Sequence, residues 1–152
     1  MKKYLQNILM VGVLVSTFTI YPSYVKTPET LAIWLKEFTY QDDAEDYWKS
    51  PEETVKDKGG DCEDSVFVVG YVLDKLDYTN YPLAVTFDNR NTSHSINIVK
   101  INNEYTMFSN FKYYDTSFTT LRSLLNNYYP HWEKFYLISQ KFPHKGLLIG
   151  ER

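Results

Sequence analysis

The apolar residues of this chain change their period near Tyr81-Pro82, and that change limits the folds open to it. Before it, Leu31, Trp34, Leu35 and Phe38 recur at i, i+3, i+4 and i+7, and Val66, Val69, Leu73 and Leu76 form a second helical stripe. After it come short runs rich in β-formers, Leu83 to Phe87, Ser93 to Ile101, Glu104 to Phe111, Phe135 to Ile138 and Leu147 to Ile149. One helical pattern interrupts them: Leu121, Leu124, Leu125 and Tyr128 share a face, with Thr116 or Ser117 to cap it and Pro130 to end it. Helices first and a mostly antiparallel sheet second make the class α+β, with helices packed on the sheet.

The helix boundaries carry their own chemistry. Thr27-Pro28 supplies an N-cap and a first-turn proline. Ser50-Pro51-Glu52-Glu53 has the order of a capping box. Gly59-Gly60 is expected to stop the helix that begins there, and Asp61 to cap the next, which puts Cys62 in a first helical turn.

The chain has 152 residues, room for one compact domain, and its 14 Tyr, 9 Phe and 3 Trp supply a core. With 16 Lys and Arg against 19 Asp and Glu the formal charge is -3, which offers no footprint for a phosphate backbone and argues against nucleic acid as a partner. A single cysteine excludes an intrachain disulfide and a Cys-rich zinc site. The histidines His94, His131 and His144 have no metal-ligand spacing, so the residues set out no metal site and no required cofactor.

Lys2 and Lys3 precede an apolar run from Ile8 to Ile20, the order of a secretory signal or an N-terminal membrane anchor. Residues 1–26 are expected to be that segment and residues 27–152 the folded domain, located outside the cytoplasm as a secreted, periplasmic or membrane-anchored protein.

A helix N-terminus favours a thiolate over a thiol, so Cys62 is placed for activation. Asp61, Glu63 and Asp64 oppose it by raising the thiol pKa, so an imidazole partner is needed. His94 is the candidate: His94, Ile96 and Ile98 share one face of a strand, and if the Cys62 helix covers that face the two side chains meet. His131 and His144, each beside a proline, read as structural. The acidic run from Asp42 to Asp46 reads as a solvated loop.

Tyr47-Trp48-Lys49-Ser50-Pro51-Glu52-Glu53-Thr54, followed by Lys58-Gly59-Gly60-Asp61-Cys62-Glu63-Asp64, resembles the nucleophile region of the bacterial transglutaminase-like cysteine proteinases, within the papain-like superfamily. The resemblance runs from about Leu31 to Asn110. It implies a Cys-His-Asp type triad acting on peptide or amide bonds through a thioester, with a protein or peptide as substrate. Some members depend on calcium, at positions that fall here on Asp61, Glu63 and Asp64. Where the family puts an Asp on the strand after the His, often in a Leu-Asp-Asn-like triplet, this chain reads Phe108-Ser109-Asn110.

Two hairpin registers are open for that strand. A two-residue loop at Asn102-Asn103 sets Lys100 opposite Tyr105 and puts Ser109 on the His94 face. A three-residue loop including Glu104 puts Asn110 there instead. Asn110 is the expected third member, because an amide oxygen is the better acceptor for an imidazole N–H; Asp115 is a further candidate. The expected function is an exported cysteine peptidase or amidase using Cys62, His94 and Asn110. Its rivals are acyl transfer to an amine and an envelope binding module of the same fold with weakened catalysis.

Overall fold

The computed structural model describes residues 19–43, 45, 47–88, 92–139 and 146–152. The elements in chain order are α1 (Pro28–Leu35), β1 (Thr39–Tyr40), α2 (Pro51–Asp57), β2 (Gly59–Gly60), α3 (Cys62–Lys75), β3 (Asn80–Phe87), β4 (Ser93–Ile101), β5 (Glu104–Ser109), β6 (Lys112–Phe118), α4 (Leu121–Tyr128), β7 (Trp132–Ile138) and β8 (Gly146–Glu151). Six strands form an antiparallel sheet in the order β6-β5-β4-β3-β7-β8. The α+β expectation holds.

The sheet separates two cores. On one face Val99 and Phe108 pack with Val68, Val69, Val72 and Leu73 of α3 and with Leu31, Trp34 and Leu35 of α1. On the other, Val85, Ile96, Ile98 and Met107 pack with Leu124 and Leu125 of α4 and with Trp132. Period-two alternation along β4 explains the division, since successive residues face opposite sides.

Three boundaries differ from the sequence reading. Helix α2 ends at Lys58, which takes the left-handed conformation (φ 53°, ψ 38°), and not at a glycine. Gly59 and Gly60 instead form a two-residue parallel pairing with Thr39 and Tyr40, where they are required for space. A Cβ on Gly59 would lie 2.5 Å from the Thr39 carbonyl oxygen, and one on Gly60 would lie 2.5 Å from the Asp64 Cβ. The capping residue of α4 is Thr120, whose side chain accepts from the Ser123 N–H, while Thr116 and Ser117 belong to strand β6. Strand β5 stops at Ser109, because Asn110 and Phe111 take positive φ (47° and 63°) and turn the chain directly into β6.

The packed domain also begins before Thr27. Val25 is fully buried in the α1–α3 core, and Ile20 and Tyr21 pack against it. The signal or anchor assigned to the N-terminus otherwise lies outside the described residues. Within them no helix is long and apolar enough to cross a membrane. At the other end of the sheet, β8 exposes Leu147, Leu148 and Ile149.

A chain beginning at Thr27 is expected to be less stable than one beginning at Thr19 by about 2 kcal/mol, the burial of one valine, lowering Tm by roughly 4–8 °C. Gly60→Ala should cost about 2 kcal/mol through overpacking against Asp64. Thermal melts followed by circular dichroism check both.

Candidate active site

The site starts from the way the first turn of α3 is held. Asp61 Oδ1 accepts from the backbone N–H groups of Glu63 (3.1 Å) and Asp64 (3.3 Å), and Asp64 Oδ2 accepts from the Asp61 N–H (3.3 Å). This reciprocal cap uses an Asp where the usual box has Glu or Gln. Asp64, with a fully buried side chain, also accepts from the Lys49 N–H at 2.7 Å. The Lys49 ammonium, 13% exposed, stands 3.8 Å from Asp64, 3.6 Å from Asp57 and 3.4 Å from the Gly59 carbonyl. Burial pushes the Asp64 carboxyl up to about 6, outweighing the N–H groups and the lysine that favour its charge. The segment from Lys49 to Asp64 is thereby tied into one piece, with Cys62 at the first position of α3.

Strand β4 brings the thiol to the histidine's neighbour. The Lys100 N–H donates to Thr79 on the β3 side, so by alternation the N–H groups of Val99, Asn97 and Ser95 point toward β5. Continuing the observed register sets Ser95 opposite Asn110, where β5 has already turned away. The Ser95 backbone instead lies near enough to Cys62 to favour its thiolate.

His94 lies on the other face. The helix covering His94, Ile96 and Ile98 is α4, and α3 packs on the Ser95, Asn97 and Val99 side, where Asn97 Nδ2 donates to the Val66 carbonyl. This reverses the expectation that α3 covers the histidine. The imidazole Nε2 is 2.8 Å from Ser109 Oγ, and the Tyr129 ring packs beside it at 5.8 Å between centroids. The Tyr129 hydroxyl reaches Ser109 Oγ at 3.4 Å. Desolvation lowers the His94 pKa.

Ser109 meets His94 because the hairpin has the two-residue loop. Lys100 pairs with Tyr105 and Ile101 with Glu104, while Asn102 and Asn103 both take positive φ. The three-residue loop that would have turned Asn110 to the histidine is not formed. Asn110 occupies the first turn position after β5, and its buried Oδ1 has no hydrogen-bond partner. Phe111 follows at φ 63°, a strained conformation for a bulky residue, held by its N–H to Ser65 Oγ (2.9 Å) and by burial of its ring against Phe38. Asp115, exposed on β6, has no described contact with His94.

The thiol itself is at rest. Cys62 donates to Glu63 Oε2 at 3.0 Å, and its pKa is pushed up to about 12. Burial is the largest cause, followed by the hydrogen bond to Glu63; the Ser95 backbone acts in the opposite sense. The helix N-terminus alone does not make a thiolate here. Glu63 is also raised, chiefly by its own burial. The three carboxylates that the calcium expectation names are each engaged within the chain: Asp64 turns inward to Lys49, Asp61 Oδ1 caps the helix and Glu63 takes the thiol. Among the described residues no group of three His, Cys, Asp or Glu is arranged to hold a metal.

Tyr129 and Lys49 were not legible as site residues. Tyr129 is the C-cap of α4, far along the chain, and nothing local marks it as a neighbour of His94.

With a thiol pKa near 12, the rate of Cys62 alkylation by iodoacetamide should rise about tenfold per pH unit from pH 6 to 9, without a plateau. Glu63→Gln, which removes the charged acceptor and leaves the burial, should raise the rate at pH 7 by at least about tenfold. Equal rates would remove Glu63 as a cause.

The family model described as transglutaminase-like domain matches residues 11–129. Among solved structures, the chain is similar to the calcium-bound LapG of Legionella pneumophila, with a TM-score of 0.51 at 20% identity, covering 71% of this chain and 62% of that one. It is similar also to the EGTA-treated LapG of the same organism, with a TM-score of 0.50 at 19% identity over 79% of this chain and 69% of that one. This chain thus spans less than two thirds of the calcium-bound structure. No curated protein matches it. The order of elements, the sheet and the matched segment together make the chain a member of the transglutaminase-like domain family.

Proposed function

We propose that the protein is a cysteine peptidase or amidase acting on proteins or peptides outside the cytoplasm. Cys62 is the nucleophile, His94 the proton carrier, and Ser109 the residue that orients His94 through Nε2. The observation that supports the reading is that two neighbouring residues at one end of β4 serve the two groups: the Ser95 backbone lies near Cys62 and favours its thiolate, and the His94 imidazole is hydrogen-bonded at Nε2 to Ser109. In the reaction, Cys62 Sγ attacks the amide carbonyl as its proton passes to His94, and the departing amine takes that proton back. Water, deprotonated by His94, then cleaves the thioester. The Cys62 backbone N–H, at the start of α3, is suited to hold the oxyanion.

Attack requires the thiol to leave Glu63, so substrate binding has to displace that carboxylate or shift its charge. A neutral hydroxyl at Ser109 orients the imidazole without stabilising its cation as a carboxylate would. These two features favour a second reading, a binding module of the same fold with weakened turnover. Acyl transfer to an amine uses the same thioester and differs only in the acceptor.

With fluorescein-labelled casein as substrate, Cys62→Ala should abolish cleavage, and His94→Ala should lower both cleavage and the rate of Cys62 alkylation. Ser109→Ala should cost at least about tenfold in kcat/KM, or roughly 1.4 kcal/mol, and Asn110→Ala less than about threefold. The reverse order would return the orienting role to Asn110. Uncut casein together with alkylation indifferent to His94→Ala would favour the binding module. Incorporation of dansylcadaverine into casein would favour acyl transfer.

A further inference from the structure

Beside the glycine pair that leads into α3, the strained turn after β5 and the strand β1 enclose a groove of about 780 Å³. Its walls are largely aromatic: Phe38, Tyr40, Phe111 and Tyr113 line it. Two features connect it to the nucleophile. Asn110, on its wall, falls opposite Ser95, the residue next to His94, when the β4–β5 register is continued. Tyr40, also on its wall, pairs with Gly60, two residues before Cys62.

The polar groups of the groove specify what would fill it. Lys36 and Lys112 stand at its rim, both exposed, and neither has an ion-pair partner among the described residues. No Asp or Glu lines it. A groove of this volume takes several residues of a peptide, not one side chain alone.

We infer that this groove is the substrate subsite of the enzyme proposed above, and that it takes a polypeptide segment carrying a bulky aromatic or branched apolar side chain next to an acidic residue. The aromatic walls bury the apolar group, and the two lysines face its carboxylate. The inference rests on the reading of Cys62 as nucleophile only for the use made of the bound segment; the binding itself stands apart from it.

The test uses the full chain carrying Cys62→Ala, so that bound peptide is not consumed. Two fluorescein-labelled hexapeptides are titrated by fluorescence anisotropy, identical except that a Phe-Glu pair in one is Phe-Lys in the other. The Phe-Glu peptide is expected to bind at least fivefold tighter, and the difference to shrink as salt is raised. Adding Tyr40→Ala, an exposed position, should weaken it at least fivefold with an unchanged melting temperature. Adding Lys112→Glu should reverse the preference toward the Phe-Lys peptide. Equal binding of the two peptides, or affinities unmoved by both substitutions, overturns the subsite. Alkylation of Cys62 in the unsubstituted chain, compared with and without His94→Ala, is read separately. Indifference to His94 there removes the nucleophile reading and leaves a peptide-binding groove in place.

Discussion

Everything at this site depends on the pair of aspartates that close the start of α3. Asp61 and Asp64 satisfy each other's end of the helix, and Asp64 does so from a fully buried position above Gly60. A carboxylate there is costly to bury and expensive to remove, since its loss would orphan the N–H groups of Lys49 and Asp61 and take one of two carboxylates from the Lys49 ammonium. Gly60 follows from it, because a side chain there would occupy the space of the carboxylate. The position of Cys62 is thus determined by a cap whose Asp61 works against the ionisation of the thiol.

That conflict explains the state of the thiol. The partial charge at a helix end is worth at most a kcal/mol or two, whereas burial and an adjacent carboxylate act on the same group more strongly. Here the second pair wins, and Cys62 is a hydrogen-bond donor. The opposing effect of the Ser95 backbone acts where β5 has already ended. The strained turn that ends it costs free energy at Asn110 and Phe111, and it also opens the edge of β4 to a side chain from the other layer.

Much of this could be read from the residues. The caps at Thr27, Ser50 and Asp61, the strand from Ser93 to Ile101 and the helical face of Leu124 and Leu125 all follow local rules that the tertiary structure does not override. The turn at Asn110-Phe111 was hidden, since turns with two positive φ values normally announce themselves by glycine and this one is stabilised by burying a phenylalanine. Missing that turn concealed β6 and displaced the cap of α4. The same blind spot governs the third site residue: Ser109 or Asn110 is decided by one residue of register, and Asn102-Asn103 fits either loop until the strand pairing is seen. The covering of His94 by α4 was beyond reach because alternation says which residues share a face, never which helix comes to lie on it.

The partition of the two cores has a mechanical consequence. The thiol is anchored to the layer of α1 and α3, and the imidazole, Ser109 and Tyr129 belong to the layer of α4, with strand β4 as the shared wall. Sliding of α3 against the sheet would change the separation of sulfur and nitrogen, since the helix carries Cys62 and strand β4 carries His94. That separation is therefore a gauge of how α3 is seated on the sheet.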